Sequence, residues 1–274
     1  MPIAQNLHLG HPDEDHPSAY YVRRGDEQFL STLHSQGAWQ PGEQHLAPAA
    51  GLVLAEVERR LPSDKQISRV SFDVLGVIYS GEFTIDVQVV RPGRSIELIE
   101  ARMRHGERTS IHARIWRLAV MDTRQVQGVE WTPLPPPDTL APCQLSSFWN
   151  GGFIGTLETR RDADTRPGRG RSWLRTAHPL VAGEVDPPVA GFVKLVDTAN
   201  GLAVREDPQR VFFANVDLTI HFIRPPVAGW VGFDVQVNFG PTGLGETFAV
   251  LSDRQGPVGT VAQSLTVRMK DETA

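Results

Sequence analysis

Asp86-Val87-Gln88-Val89 recurs as Asp234-Val235-Gln236-Val237, 148 residues further along a chain of 274. The flanks recur with it. Gly81 stands five residues before the first copy and Gly229 five before the second. Arg91-Pro92-Gly93 follows one copy, and Phe239-Gly240-Pro241 follows the other. Downstream, the strand-like run 111–118 has its counterpart in 261–268. Upstream, Ala50-Gly51-Leu52 lies 150 residues before Asn200-Gly201-Leu202. Helix signal, turn and strand run return in one order, at a period far longer than that of a solenoid. The sequence therefore predicts a duplicated unit, two similar folds in tandem.

Within the first unit, residues 41–61 read as a helix. Leu46, Ala50, Val53, Val57 and Leu61 recur at spacings of three and four and share one stripe. Pro62 ends it. Strand candidates follow at 69–78, 82–91, 96–104 and 109–120, with turn signals at Pro92-Gly93 and His105-Gly106. The second unit repeats this order: strands at 153–161 and 172–176, a helix over 187–204, then strands at 211–223, 230–239, 247–252 and 258–269. Between them, residues 123–148 hold Pro133, Pro135, Pro136, Pro137 and Pro142 and read as a stiff linker. The expected organisation is thus an N-terminal unit over 19–122, a linker over 123–148 and a C-terminal unit over 149–270.

Composition narrows the function. Net charge −5 and a pI near 6.0 argue against a nucleic-acid surface. The arginine-rich stretch 160–171 is interrupted by Gly and Asp and reads as a solvated hairpin tip. Cys143 is a lone cysteine, which excludes a disulfide framework and a cysteine metal cluster. No apolar run reaches the ~20 residues that span a bilayer, and the N-terminus does not read as a signal peptide. A soluble cytoplasmic protein is expected. His11, Asp13, Asp15 and His16 are metal-capable but lack a ligand spacing, so 1–18 reads as a mobile tail and no metal or cofactor is expected. G-x-S-x-G, P-loop, G-x-G-x-x-G and H-E-x-x-H motifs are all absent from the sequence.

Two polar residues stand out. In the last strand Val261, Gln263, Leu265 and Val267 alternate onto one face, so Gln263 sits in an apolar set. Burying its amide unpaired costs roughly 1–3 kcal/mol. It either ties down a neighbouring backbone or serves a ligand. Asp197 lies in the second helix on a stripe with Lys194 and Gly201. That stripe reads as a solvated face with a Lys194–Asp197 pair, or as a helix face under the sheet, with Asp197 towards Gln263. In the first unit Arg114 falls where Gln263 would be, and Ala47 or Pro48 where Asp197 would be. This asymmetry predicts one active site per chain. In the run 211–223, Phe212, Ala214, Val216, Leu218, Ile220 and Phe222 form one face, and Asn215, Asp217, Thr219 and His221 the other.

Three stretches carry a family resemblance: Leu195-Val196-Asp197-Thr198-Ala199-Asn200; Asp217-Leu218-Thr219-Ile220-His221-Phe222-Ile223-Arg224-Pro225; and Gly259-Thr260-Val261-Ala262-Gln263-Ser264-Leu265-Thr266-Val267-Arg268. With His45-Leu46-Ala47-Pro48-Ala49-Ala50-Gly51, they resemble acyl-CoA thioesterase II and its relatives over most of the chain. The resemblance implies an α+β tandem (double) hotdog, each half a long helix wrapped by a curved antiparallel sheet. It implies hydrolysis of acyl-CoA or related thioesters, by a water that an Asp, a Gln and a Thr hold. The Asp falls on Asp197 and the Gln on Gln263. The Thr falls on Asn215, a departure that leaves Thr219 as a substitute. Asn215 lies opposite the apolar face, so its approach to Gln263 requires a bulge or twist. A glycine pair before the first helix is replaced by Leu46-Ala47. The matched stretches offer Gly51, His45 and Arg224 as substrate-binding residues. Two other readings of the same fold remain: a non-catalytic binder of acyl or other hydrophobic ligands, and a dehydratase or hydratase that pairs His45 with Asp197. Further assembly into a homo-oligomer is compatible with the sequence.

Overall fold

The computed structural model describes residues 18–270; the His/Asp-rich tail, apart from Ser18, lies outside them. A short edge hairpin, β1 (Tyr21–Arg23) and β2 (Gln28–Ser31), precedes α1 (Leu46–Arg60), β3 (Gln66–Val74), β4 (Glu82–Arg91), β5 (Ile96–His105) and β6 (Arg108–Leu118). Then come β7 (Ala141–Cys143), α2 (Gly152–Gly155), β8 (Leu157–Arg161), β9 (Arg169–Thr176), α3 (Pro188–Val193) and α4 (Ala199–Leu202). The chain closes with β10 (Val211–Phe212), β11 (Asp217–Phe222), β12 (Val231–Phe239), β13 (Leu244–Asp253), β14 (Gly256–Thr266) and β15 (Arg268–Met269).

Thirteen strands form one antiparallel sheet in the order β1-β2-β4-β5-β6-β3-β11-β14-β13-β12-β9-β8-β7. Its midline is the β3–β11 pair, where Ser71 faces Thr219. On each side of the midline one strand, β3 or β11, is central, and the next three strands, β4-β5-β6 or β12-β13-β14, run inwards towards it. The register is equally repetitive. Ala101 faces Ala113 across β5–β6, and Ala249 faces Val261 across β13–β14. Each residue of the second pair lies 148 positions after its counterpart in the first. The two Asp-Val-Gln-Val copies occupy matching places in β4 and β12, and their aspartates pair with arginines: Arg104 Nε to Asp86 at 2.9 Å, Arg169 Nη1 to Asp234 at 2.6 Å. The glycines before the copies have a physical reason to recur. Gly81 and Gly229 have φ of 110° and 115°, a region that L side chains avoid.

The helices stack between these half-sheets and share one apolar core. Gly51 sets their spacing. A Cβ there would lie 2.6 Å from Lys194 Cβ and 3.0 Å from the Ala190 carbonyl oxygen, so α1 and α3 touch at backbone distance. That contact gives Gly51 a packing role.

Several expectations change. The second helix is not continuous over 187–204: a 3-10 turn, Val196–Thr198, separates α3 from α4. Leu195 N–H bonds the Phe192 carbonyl, Thr198 N–H the Leu195 carbonyl, and Thr198 Oγ1 donates to the same Leu195 oxygen at 2.6 Å. Such local bonds tighten the turn and compete with the α pattern. The expected strand over 153–161 begins as the helical turn α2, with Phe153 and Ile154 buried. The expected strand over 211–223 is split into β10 and β11. Residues 123–148 are no free-standing linker: β7 extends the sheet edge beside β8, Trp173 Nε1 donates to the Pro135 carbonyl at 2.8 Å, and Leu145 is buried in the core.

Candidate active site

Asp197 sits on the 3-10 turn, 3 % exposed, and three elements converge on its carboxylate. From β14, Gln263 Nε2 donates to Asp197 Oδ1 at 2.8 Å, with a longer 3.4 Å approach to the Asp197 carbonyl. From the break before β11, Asn215 Nδ2 donates to the same Oδ1 at 2.9 Å. From the start of α1, His45 Nδ1 lies 3.3 Å from Oδ2. The interrupted helix makes this possible, since the turn directs Asp197 at the sheet rather than along a helix stripe. Lys194 is not its partner: Lys194 Nζ binds Asp186 Oδ2 at 2.5 Å and the His178 carbonyl at 2.7 Å.

The approach of Asn215 depends on the split between β10 and β11. Phe213 and Leu218 are both fully buried although they stand an odd number of positions apart, so the alternation changes phase between them. Val216, expected inside, is exposed. The irregular segment also lets Asn215 Nδ2 bond the Asp217 carbonyl at 2.9 Å. Thr219, by contrast, lies in regular β11 between buried Leu218 and Ile220 and so faces away from the core. It takes no part in the cluster, which corrects its candidacy. His221 on the same outer face is exposed.

Burial raises the Asp197 pKa to about 7, against the lowering effect of the Asn215 and Gln263 hydrogen bonds. Burial lowers that of His45 to about 4, so its ring is neutral near pH 7. His45 also caps α1, with Nδ1 accepting from Ala47 N–H at 3.1 Å. Nδ1 is therefore an unprotonated acceptor facing Oδ2. The one lone pair of Nδ1 is engaged by the Ala47 N–H, so the 3.3 Å approach to Oδ2 is a close polar contact and not a hydrogen bond.

Arg224 is committed elsewhere. Its guanidinium forks onto Asp253 at 2.7 and 2.6 Å and donates to the Pro257 and Gly256 carbonyls. It clamps the end of β11 to the β13–β14 hairpin and is not available to a substrate through those donors. The register also corrects the first-half equivalents. Gln263 faces Thr247, and 148 residues earlier Ile115 faces Ile99. The counterpart of Gln263 is therefore buried Ile115, and Arg114 is an exposed neighbour. Thr247, fully buried, was not singled out by the sequence; its place inside an otherwise apolar alternation with Ala249 and Leu251 was the available signal.

Asp197 opens onto a cleft of about 270 Å³, lined by Trp39, Gln44, His45, Ile78, Phe212 and Asn215 among others. A smaller chamber of about 30 Å³ adjoins it behind His45, enclosed by Trp39, Leu145, Trp149 and Ile154. No group of three or more metal-capable side chains clusters among the described residues. Among the described residues, no helix is long and apolar enough to cross a membrane.

Residues 35–118 match the acyl-CoA thioesterase N-terminal domain, and residues 132–267 match the acyl-CoA thioesterase C-terminal domain. The chain therefore belongs to the acyl-CoA thioesterase family, and it is a hydrolase of the thioesterase class with the tandem hotdog α+β fold. The second match begins within the segment expected as linker. Among solved structures, the chain is similar to a conserved hot dog fold protein of unknown function from Alicyclobacillus acidocaldarius (14 % identity, 92 % of this chain and 96 % of that one, TM-score 0.71). It is also similar to the acyl-CoA thioesterase II TesB2 of Mycobacterium marinum (14 % identity, 94 % and 98 % covered, TM-score 0.67). The dehydratase domain of the CurF module of curacin polyketide synthase shares the fold more loosely (13 % identity, 93 % and 99 % covered, TM-score 0.51). No curated protein matches the chain.

Proposed function

We propose that the chain hydrolyses acyl-CoA or a related thioester with Asp197 as general base, and that the site belongs to the C-terminal unit, with His45 contributed by the N-terminal one. The observation that carries this reading is the three-way convergence on a buried carboxyl whose pKa of about 7 suits proton transfer at neutral pH. Asp197 takes a proton from water as the water oxygen bonds the thioester carbonyl carbon. The tetrahedral intermediate collapses, the carbon–sulfur bond breaks, and the thiolate leaves with the proton that Asp197 returns. Gln263 and Asn215 hold the carboxylate at fixed geometry, which lowers the entropic part of the barrier. His45, 3.3 Å from Asp197 Oδ2, sets a neutral ring rather than a positive charge beside the carboxyl, which leaves its pKa raised for proton transfer near neutral pH. The test is thiol release over a panel of acyl-CoA chain lengths; no release with any of them refutes the proposal.

A second reading is favoured by the 3.3 Å approach of His45 to Asp197, the pairing a double-hotdog dehydratase would use. Incubation with an enoyl or 3-hydroxyacyl thioester separates the two, because water addition or loss leaves the thioester intact.

A further inference from the structure

Thr247 and Gln263 oppose one another directly across the antiparallel β13–β14 pair. Such partners share a face, with Cβ atoms about 4.5–5.5 Å apart. Both are buried, at 0 % and 1 % exposure. Gln263 Nε2 is taken by Asp197, but Gln263 Oε1 and Thr247 Oγ1 each lack a hydrogen-bond partner among the described residues. One is an acceptor, the other a hydroxyl that can donate. A buried polar atom left unpaired costs roughly 1–3 kcal/mol, so two of them at opposed positions are strongly driven to meet.

The first half shows that packing does not require them. Ile99 and Ile115 oppose one another at the same two positions of β5–β6, and both are fully buried. An all-apolar pair fills this place in the fold without difficulty. The polar pair stands only in the half that carries Asp197.

We propose that Thr247 is a positioning residue: its hydroxyl donates to Gln263 Oε1 and so anchors the amide whose Nε2 donates to Asp197. The assignment rests on the role given above to Asp197 and Gln263. An amide has nearly the same shape in its two orientations, but opposite chemistry at the carboxylate. With Nε2 inward the carboxylate gains a donor. With Oε1 inward it faces a second acceptor, and its charged form loses support. Around Asp197 the other facing groups are Asn215 and neutral His45, while Lys194 on the preceding turn is held by Asp186. The Asp197 backbone carbonyl, 3.4 Å from Gln263 Nε2, favours the same orientation, to which Thr247 adds through Oε1.

The test compares Thr247→Val, which keeps the shape and removes the hydroxyl, with Thr247→Ser, which keeps the hydroxyl. In thiol release from an acyl-CoA, the valine variant is expected to lose kcat by about 10-fold, a positional effect, with KM unchanged. The midpoint of its pH–rate profile should move upwards, and the serine variant should restore both. Thermal stability of the valine variant should fall, because Gln263 Oε1 loses its donor, and that of the serine variant should not. A second arm needs no turnover: the carboxyl carbon of Asp197 is titrated by NMR in the native protein and both variants. A higher midpoint in Thr247→Val alone supports the assignment. Equal midpoints in all three, or equal kcat in the native and valine proteins, overturn it. Absence of thiol release from the native protein would refute the hydrolytic reading but leave the titration to decide the role of Thr247.

Discussion

The two halves of this chain solve the same packing problem with the same strand order and register, yet only one of them carries a polar pair at the matching core positions. Across β5–β6 the core-facing pair is Ile99 and Ile115; across β13–β14 it is Thr247 and Gln263. The first helix, α1, runs unbroken for fifteen residues, whereas its partner breaks into α3, a 3-10 turn and α4 at Asp197. The strand after the second helix is split as well, and the split delivers Asn215. The first half shows what the fold needs. The excess polarity and irregularity of the second show what the fold tolerates for another purpose. Each feature is costly alone, and together they satisfy one carboxyl group. The division of labour is not complete, because His45, the N-cap of α1, reaches across to Asp197.

The largest effect should follow from removing the carboxylate. Asp197→Asn is expected to cut acyl-CoA thiol release at least ~100-fold, in line with general-base catalysis, while the far-ultraviolet circular dichroism stays native. Full activity in that variant would break the asymmetry between the halves.

The same substitution should raise stability at alkaline pH, and the effect should fade as the pH falls. Burial raises the Asp197 pKa from the ordinary 3.8 to about 7. Its contribution to folding is therefore fully present below about pH 4 and is lost as pH rises through 7. Asn does not titrate, so Asp197→Asn should be more stable than the native protein at pH 8, by on the order of a few kcal/mol. That advantage should vanish towards pH 4. Chemical denaturation at the two pH values measures it.

Transplanting polarity into the first half sharpens the comparison. Ile115→Gln buries an amide with no carboxyl opposite, and should destabilise by roughly 1–3 kcal/mol for the unpaired group plus the lost apolar contact. It should leave thiol release unchanged. A gain of activity would mean that the first half holds a latent site.

Gly51→Ala should give a smaller loss, about 1–3 kcal/mol of overpacking, because its Cβ would press on Lys194. A variant with native melting temperature but raised KM would place Gly51 in the substrate-binding set.

Much of this was legible in the residues, and the parts that were not have identifiable causes. Gln263 was visible because a period-two pattern exposes a polar residue in an apolar row, and β14 is regular enough for that pattern to hold. The helix α1 was visible through its stripe and Pro62. Asn215 was placed on the wrong face because alternation assumes an unbroken strand, and the phase shift before β11 arises from tertiary contacts such as the isolated bridge between Asn215 and Leu265. Asp197 was expected on a continuous helix; nothing in a 3.6-residue period reveals a turn tightened by Thr198. Arg224 looked available because its partner Asp253 lies 29 residues away in sequence. The assignment of Arg114 opposite the site was one residue out of register, and in a strand one residue reverses the face.

The most direct test of the central claim is the pH dependence of kcat/KM for acyl-CoA hydrolysis by the native protein. If Asp197 is the base, the rate must rise with pH through a single step with a midpoint near 7, and Asp197→Asn must abolish the step along with the activity. A profile flat from pH 5 to 9 (roughly the range that brackets such a base), or a step that survives in Asp197→Asn, would contradict it.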